Sequence, residues 1–169
     1  MPQIDPATDP ATWPLGPEGR AAARRLGRRL PSGAFLVASD EPKAWQTLAP
    51  AGERGVLRDP RLREVRRTEQ FNGDFRRLRR SYVSGADIPG WEPRREVVHR
   101  FAAAIGAATE RAARRDVVAA SHGMAITVWL AATLALADPS AFWADLSFPD
   151  VLVVDLEAAT VTRPDAGRQ

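Results

Sequence analysis

The sequence predicts an α/β protein, a three-layer α/β/α arrangement with a mostly parallel sheet. Three observations predict it. Short apolar runs at 34–39 (AFLVAS), 116–121 (DVVAAS) and 151–156 (VLVVDL) read as buried strands. The stretches around them repeat their apolar residues at helical spacing. Strands that alternate with amphipathic helices make a parallel sheet covered on both faces.

Taken in order, residues 1–16 carry prolines at 2, 6, 10 and 14 and read as an extended loop. A helix follows: Pro17 suits its first turn, Glu18 its positive end, and Ala22, Leu26 and Leu30 form its stripe. Pro31 and Gly33 stop it. After the strand at 34–39, "PKAWQTL" starts a second helix with Pro42 at its N-terminal end. Residues 50–92 form an irregular excursion, with one short helix around 75–83. A long helix over 93–114 presents Val97, Phe101, Ile105, Ala108 and Ala112 on one stripe. The strand at 116–121 leads into an Ala/Leu-rich helix. The strand at 151–156 precedes "ATVT", which can pair beside it after a turn. Residues 1–163 are one domain, and 164–169 a disordered tail.

The bulk numbers agree. A chain of 169 residues, 44 % hydrophobic and 27 % charged, has the composition of one globular domain with a sizeable core. The absence of cysteine excludes disulfides, thiolate zinc sites and a cysteine nucleophile. No basic-then-apolar start suggests a signal peptide. The longest apolar run, 124–137, falls short of the roughly 20 residues a bilayer needs, so no membrane partner is expected and the expected compartment is the cytoplasm. A net charge of +3 raises the prior for polyanionic partners only slightly.

The chain has two histidines, His99 and His122. His99 lies off the apolar stripe of its helix and is read as exposed and inert. His122 stands in "VVAASHGMAI", at the exit of a strand and the mouth of a helix. Ligands of open α/β sheets gather at the carboxyl ends of strands. A helix N-terminus offers free N–H groups and partial positive charge to an anion. Gly123 permits close backbone approach, and an imidazole can donate to a phosphoryl oxygen or trade a proton near neutral pH. The bland alternative is a histidine that caps a helix or fills a tight turn.

Five segments occur in order: WPLGPEG (13–19), ASDEPKAWQT (38–47), LRE (62–64), GWEP (90–93) and VVAASHG (117–123). The series resembles the histidine phosphatase superfamily, with its phosphoglycerate-mutase-like fold, over nearly the whole chain. The resemblance implies a phosphomonoester hydrolase that passes the phosphoryl group through a histidine. It implies no metal or other cofactor, and a small phosphorylated substrate or phosphate as ligand. Hydrolysis is preferred to mutase activity. The resemblance gives His122 the clamping of the phosphoryl group and Glu64 the protonation of the leaving oxygen; the alternative for Glu64 is a surface carboxylate paired with arginine. Lys43 stands where the family usually has an arginine. It supplies a point charge without the planar two-pronged grip of a guanidinium, or is simply an exposed lysine. Ser39 donates to phosphate or caps the turn, and Gly123 completes the phosphate-binding set.

The front of the chain departs from the pattern. The family's nucleophile lies in an Arg-His-Gly or Arg-His-Ala motif at the end of a first, central strand, and no Arg-His pair occurs in the 169 residues. The expectation is an N-terminally truncated chain that lacks this strand, with Met1 an internal methionine. The full-length gene product would be the enzyme, and this form inactive. Two alternatives stand beside it. One is a non-catalytic relative that binds phosphorylated ligands through His122 and Lys43. The other is a basic nucleic-acid-binding domain that uses Arg61, Arg63, Arg66, Arg67, Arg76, Arg77, Arg79 and Arg80, with Phe71, Phe75 and Tyr82 for stacking. For that arginine-rich segment, a solvated helix face with inward aromatics is preferred.

Overall fold

The computed structural model describes residues 1–52, 55–68 and 75–164. Its first ordered feature is a return of the chain on itself. Pro2 bridges antiparallel to Leu15, and the Gly16 N–H donates to the Met1 carbonyl at 3.0 Å. Gly19 is required here, because a Cβ on it would lie 2.6 Å from the Met1 carbonyl oxygen. A 3-10 turn at Pro10–Thr12 breaks the loop, with the Asp9 side chain accepting from the Ala11 N–H.

Helix α1 (Pro17–Gly27) starts on Pro17, with Glu18 in its first turn and Arg24 and Arg25 in its last, all matched to the helix dipole. Its buried face is Gly19, Ala23 and Leu26 rather than Ala22, Leu26 and Leu30. The helix closes at Gly27, so Leu30 falls beyond it and its stripe turns by one residue. Strand β1 (Phe35–Ala38) and helix α2 (Pro42–Leu48) follow. Strand β2 (Leu57–Arg58) is too short and too polar to announce itself in the sequence. Helix α3 (Phe75–Val83), helix α4 (Arg94–Ala112), strand β3 (Val117–Ala120) and helix α5 (Gly123–Leu134) come next. A further helix, α6 (Pro139–Ala144), is capped by Asp138, whose side chain accepts from the Ala141 N–H. The hairpin of β4 (Val153–Asp155) and β5 (Thr160–Thr162) closes the described chain.

Strands β2, β1 and β3 form one parallel sheet in that spatial order, with Val37 opposite both Leu57 and Ala119. Strands β4 and β5 form a separate antiparallel pair, so the run at 151–156 is not the buried strand of the parallel sheet that its apolar residues predicted: Val153 and Asp155 are exposed, and Leu152 and Val154 pack only partly on the core. The period-two alternation of a strand divides the core. Phe35, Val37 and Val117 pack with Val97, Phe101, Val128 and Leu130 of α4 and α5. Leu36, Ala38, Val118 and Ala120 pack on the other face with Leu48 and Trp45 of α2. That is the expected three-layer arrangement. Phe101 stacks on Trp129 at 4.8 Å between α4 and α5. On α4, Ala104 is buried where Ile105 was expected, and Ile105 is half-buried at the edge of the core.

Among the described residues, β3 carries a ladder on one side only. The Asp116 and Ala120 carbonyls accept from Phe35 and Ser39 of the β1 side. Alternation then turns the backbone groups of Val117 and Ala119 toward the opposite edge.

The arginine-rich segment matches the preferred reading. Tyr82 is buried and donates its hydroxyl to the Glu92 carbonyl at 2.7 Å, so it offers no stacking face. Phe75 lies under the guanidinium of Arg79 at 4.9 Å. Phe71 and residues 165–169 of the expected tail lie outside the described residues.

Candidate functional site

Four chain segments converge at the carboxyl ends of β1 and β3. The first is the β1–α2 turn. Ser39 is fully buried, and its Oγ accepts from the Glu41 N–H at 3.2 Å, so the side chain takes the turn-capping role. Glu41 is the N-cap of α2, but its side chain accepts no capping bond from the helix backbone. Its carboxylate points elsewhere, and Lys43 follows it: Lys43 Nζ donates to Glu41 Oε2 and to the Pro10 carbonyl, both at 2.6 Å. Lys43 is therefore partly covered rather than exposed. Gln46, one turn further on, accepts the Leu15 N–H at 2.7 Å and holds the opening loop over this end of the sheet.

The second segment is the loop at 59–67. It leaves β2 through a 3-10 turn at Pro60–Leu62, with Asp59 accepting from the Arg61 N–H. Two arginines shape it from outside. Arg63 chelates Asp40 with Nε at 2.6 Å. Arg100, from α4, donates to the carbonyls of Arg61, Arg63 and Glu64 while its fork grips Glu92. Ser121 ties the same loop to the exit of β3 through Oγ and the Leu62 carbonyl, at 2.7 Å. Together these contacts present Glu64 inward.

The third segment is the β3–α5 junction. His122 is the N-cap of α5 and is only 6 % exposed. Its Nε2 is buried, has no hydrogen-bond partner, and lies 3.5 Å from Glu41 Oε1. Glu64 Oε1 accepts from the Ala125 N–H at 3.0 Å and from the Val65 N–H at 2.9 Å. The anion that the α5 N-terminus favours is thus supplied from within the chain. Gly123 serves packing here, since a Cβ on it would meet Trp143 Nε1 and Phe148 Cζ at 3.3 Å. Those rings belong to the fourth segment, α6 and the turn after it.

The electrostatics follow from burial. Burial pushes the His122 imidazole below its ordinary value, and the carboxylates of Glu64 and Glu41 recover only part of that shift. The ring is neutral at pH 7. Burial also pushes the Glu64 carboxyl up, but the His122 ring once protonated, Arg67 and the N–H groups of Val65 and Ala125 pull it down further, and it ends below its ordinary value. Glu64 is therefore an ionised acceptor in this state.

The structure brings His122, Glu64, Lys43 and Ser39 into one cluster, with Glu41 between them. His99 is exposed, as expected. Glu41, Gln46 and Arg100 are the contributors that motif reading missed. Glu41 had a signal: a half-buried lysine needs a counter-charge, and the nearest carboxylates are two and three residues away in "SDEPK". Two surface clefts of about 670 and 600 Å³ lie elsewhere, beside Trp91 and beside His99. The first holds the other unpartnered buried nitrogen, Arg94 Nε, with Asp87 and Glu92, but neither sets an unpartnered imidazole beside carboxylates and a lysine, and so chemistry rather than volume locates the site. Among the described residues, no group of three histidine, aspartate or glutamate side chains is arranged to hold a metal. Among them too, no helix is long and apolar enough to cross a membrane.

Comparison with known proteins identifies relatives of the whole chain. The family model described as histidine phosphatase superfamily (branch 1) matches residues 7–159. A mycobacterial glucosyl-3-phosphoglycerate phosphatase solved with inorganic phosphate is 27 % identical, with a TM-score of 0.61 over 85 % of this chain and 79 % of that one. A structure described as mycobacterial hydrolase 1 is 26 % identical, with a TM-score of 0.63 over 80 % and 74 % of the two chains. Bacillus stearothermophilus YhfR shares the fold at 21 % identity, with a TM-score of 0.63 over 92 % and 85 %. No curated protein matches the sequence.

Proposed function

The chain belongs to the histidine phosphatase superfamily (branch 1), and from that premise we propose that its site handles the phosphoryl group of a small phosphomonoester. The buried, unpartnered Nε2 of His122 carries this reading. A polar nitrogen sealed without a partner costs stability unless a ligand satisfies it. In this reading His122 clamps a phosphoryl oxygen, Lys43 contributes charge, and Ser39 and Gly123 shape the turn and the helix mouth around the anion. Glu64 gives a proton to the leaving oxygen. Glu64 is ionised in the unliganded state, and a phosphoryl dianion beside it raises its affinity for a proton, because like charges disfavour ionisation. Substrate binding then loads the acid that the reaction uses. The phosphoryl group is taken up by a histidine and passed to water, with no metal or other cofactor, and the compartment is the cytoplasm.

Neither histidine of the 169 residues follows an arginine, and His122 is the clamp in this scheme. The reading for these residues alone is phosphate binding without turnover, with hydrolysis a property of a chain that also carries the nucleophile. The test compares the wild-type chain with His122→Ala, using thermal stabilisation by inorganic phosphate and turnover of p-nitrophenyl phosphate. The expected result is stabilisation of wild type only and no turnover by either. Robust turnover abolished by His122→Ala would make His122 the nucleophile and overturn the assignment. Equal stabilisation of both proteins would remove the phosphate from this site.

A further inference from the structure

Glu41 meets three donor groups around the place an anion at His122 would take. Its side chain is 6 % exposed. Oε2 sits 2.6 Å from Lys43 Nζ; Oε1 accepts the Glu64 N–H at 2.9 Å and faces His122 Nε2 at 3.5 Å. One carboxylate thus meets an ammonium, a backbone amide and an imidazole drawn from three different segments. An acid in this position serves no helix-capping purpose, since its side chain leaves α2 uncapped.

The charge balance points the same way. With a neutral His122, the cluster holds two carboxylates, Glu41 and Glu64, against one ammonium, Lys43. Of the other cations nearby, Arg67 acts on Glu64 and donates to the Val65 carbonyl, Arg63 is held by Asp40, and Arg100 by Glu92 and loop carbonyls. A phosphoryl dianion at His122 Nε2 would lie against the Glu41 carboxylate 3.5 Å away, and like charges repel strongly in a medium of low polarity.

We propose that Glu41 is a resident counter-anion: its carboxylate occupies the seat of the phosphoryl group, and an anion binds at His122 only by displacing it. This rests on the reading of the His122 cluster as an anion seat, and it adds the residue that sets how tightly that seat binds. A Glu41 that merely neutralised Lys43 would need contact with Lys43 alone. The contacts to the Glu64 amide and toward His122 go beyond that need.

The experiment titrates inorganic phosphate into the 169-residue chain at constant ionic strength, with chloride as control, by calorimetry and thermal shift. It compares wild type, Glu41→Gln, Glu41→Ala and the double variant Glu41→Gln/His122→Ala, each checked for fold by circular dichroism. Removing the Glu41 charge should lower the half-saturating phosphate concentration at least tenfold, and adding His122→Ala should erase the gain. In the wild type, saturating phosphate should move the carboxyl carbon-13 resonance of Glu41, a readout that needs no variant. Unchanged affinity in the Glu41 variants, with binding still lost in His122→Ala, would overturn the proposal and leave the anion seat standing. An unmoved Glu41 resonance at saturation, or a gain that survives His122→Ala, would also overturn it. Absence of phosphate binding in every folded variant would overturn the seat itself.

Discussion

Arg100 and Glu92 form a two-pronged pair, with Arg100 Nε 2.7 Å from Glu92 Oε1 and Nη2 3.0 Å from Oε2. The Glu92 side chain is fully covered, and its Oε2 also accepts the Arg66 N–H. The remaining Arg100 donors hold the carbonyls of residues 61, 63 and 64. Arg100 is thus a positioning residue for Glu64. Breaking such a covered pair from one side costs roughly 3–5 kcal/mol, because a buried charge loses its partner. Arg100→Met should lower the stability by about 3 kcal/mol in urea titration, and Arg100→Lys should recover only part, since an ammonium cannot span both Glu92 oxygens and three carbonyls.

Stability should fall on acidification in two stages. His122 has a depressed affinity for protons in the fold, so the unfolded chain protonates first as the pH drops below the ordinary histidine value of 6.5. Glu64 is also depressed, and its contribution is lost as the pH falls from its ordinary value of 4.5 through the lower value in the fold. Both act in the same direction. Melting temperature recorded from pH 8 to pH 3 should show His122→Asn flattening the upper stage and Glu64→Gln flattening the lower one.

Gln46 is the clasp between α2 and the opening loop, through its Oε1 and the N–H of buried Leu15. Gln46→Ala leaves that amide unpaired at a cost of about 1–3 kcal/mol. The effect should be local. Limited proteolysis should cut the variant within residues 1–16 faster than wild type, with later cuts unchanged.

Ala113 closes α4 with a left-handed backbone, φ 49°, where a Cβ is unwelcome. The strain is roughly 1–2 kcal/mol, against roughly 0.5–1 kcal/mol for the extra freedom glycine has when unfolded. Strain wins narrowly. Ala113→Gly should stabilise the chain by about 0.5–1 kcal/mol in a denaturant titration.

The sequence made the layers legible because their signals are local. Unbroken apolar runs gave β1 and β3, and prolines at first helical turns gave α1 and α2. Strand β2 was hidden, because two residues ending in arginine carry no period. Helix α6 was overlooked although "DPSAFWA" holds a capping aspartate and a first-turn proline. In the site, motif order located His122, Glu64, Lys43 and Ser39, while Glu41 and Arg100 escaped. Lys43 signalled a carboxylate close in the chain, but the bonds from the Glu64 amide to Glu41 and from Arg100 to the Arg61 carbonyl span 23 and 39 residues, a relation that no spacing rule encodes. Gly123 was legible as special but for a different reason, since rings from around α6 crowd it.

The one-sided ladder of β3 also bears on how the molecule behaves in a crowded tube. Rungs at Val117 and Ala119 that meet no strand among the described residues invite an extended stretch of some other polypeptide to zip alongside. Scattering intensity per unit mass should therefore climb as the preparation is concentrated, and a lysine at position 119 should blunt that climb.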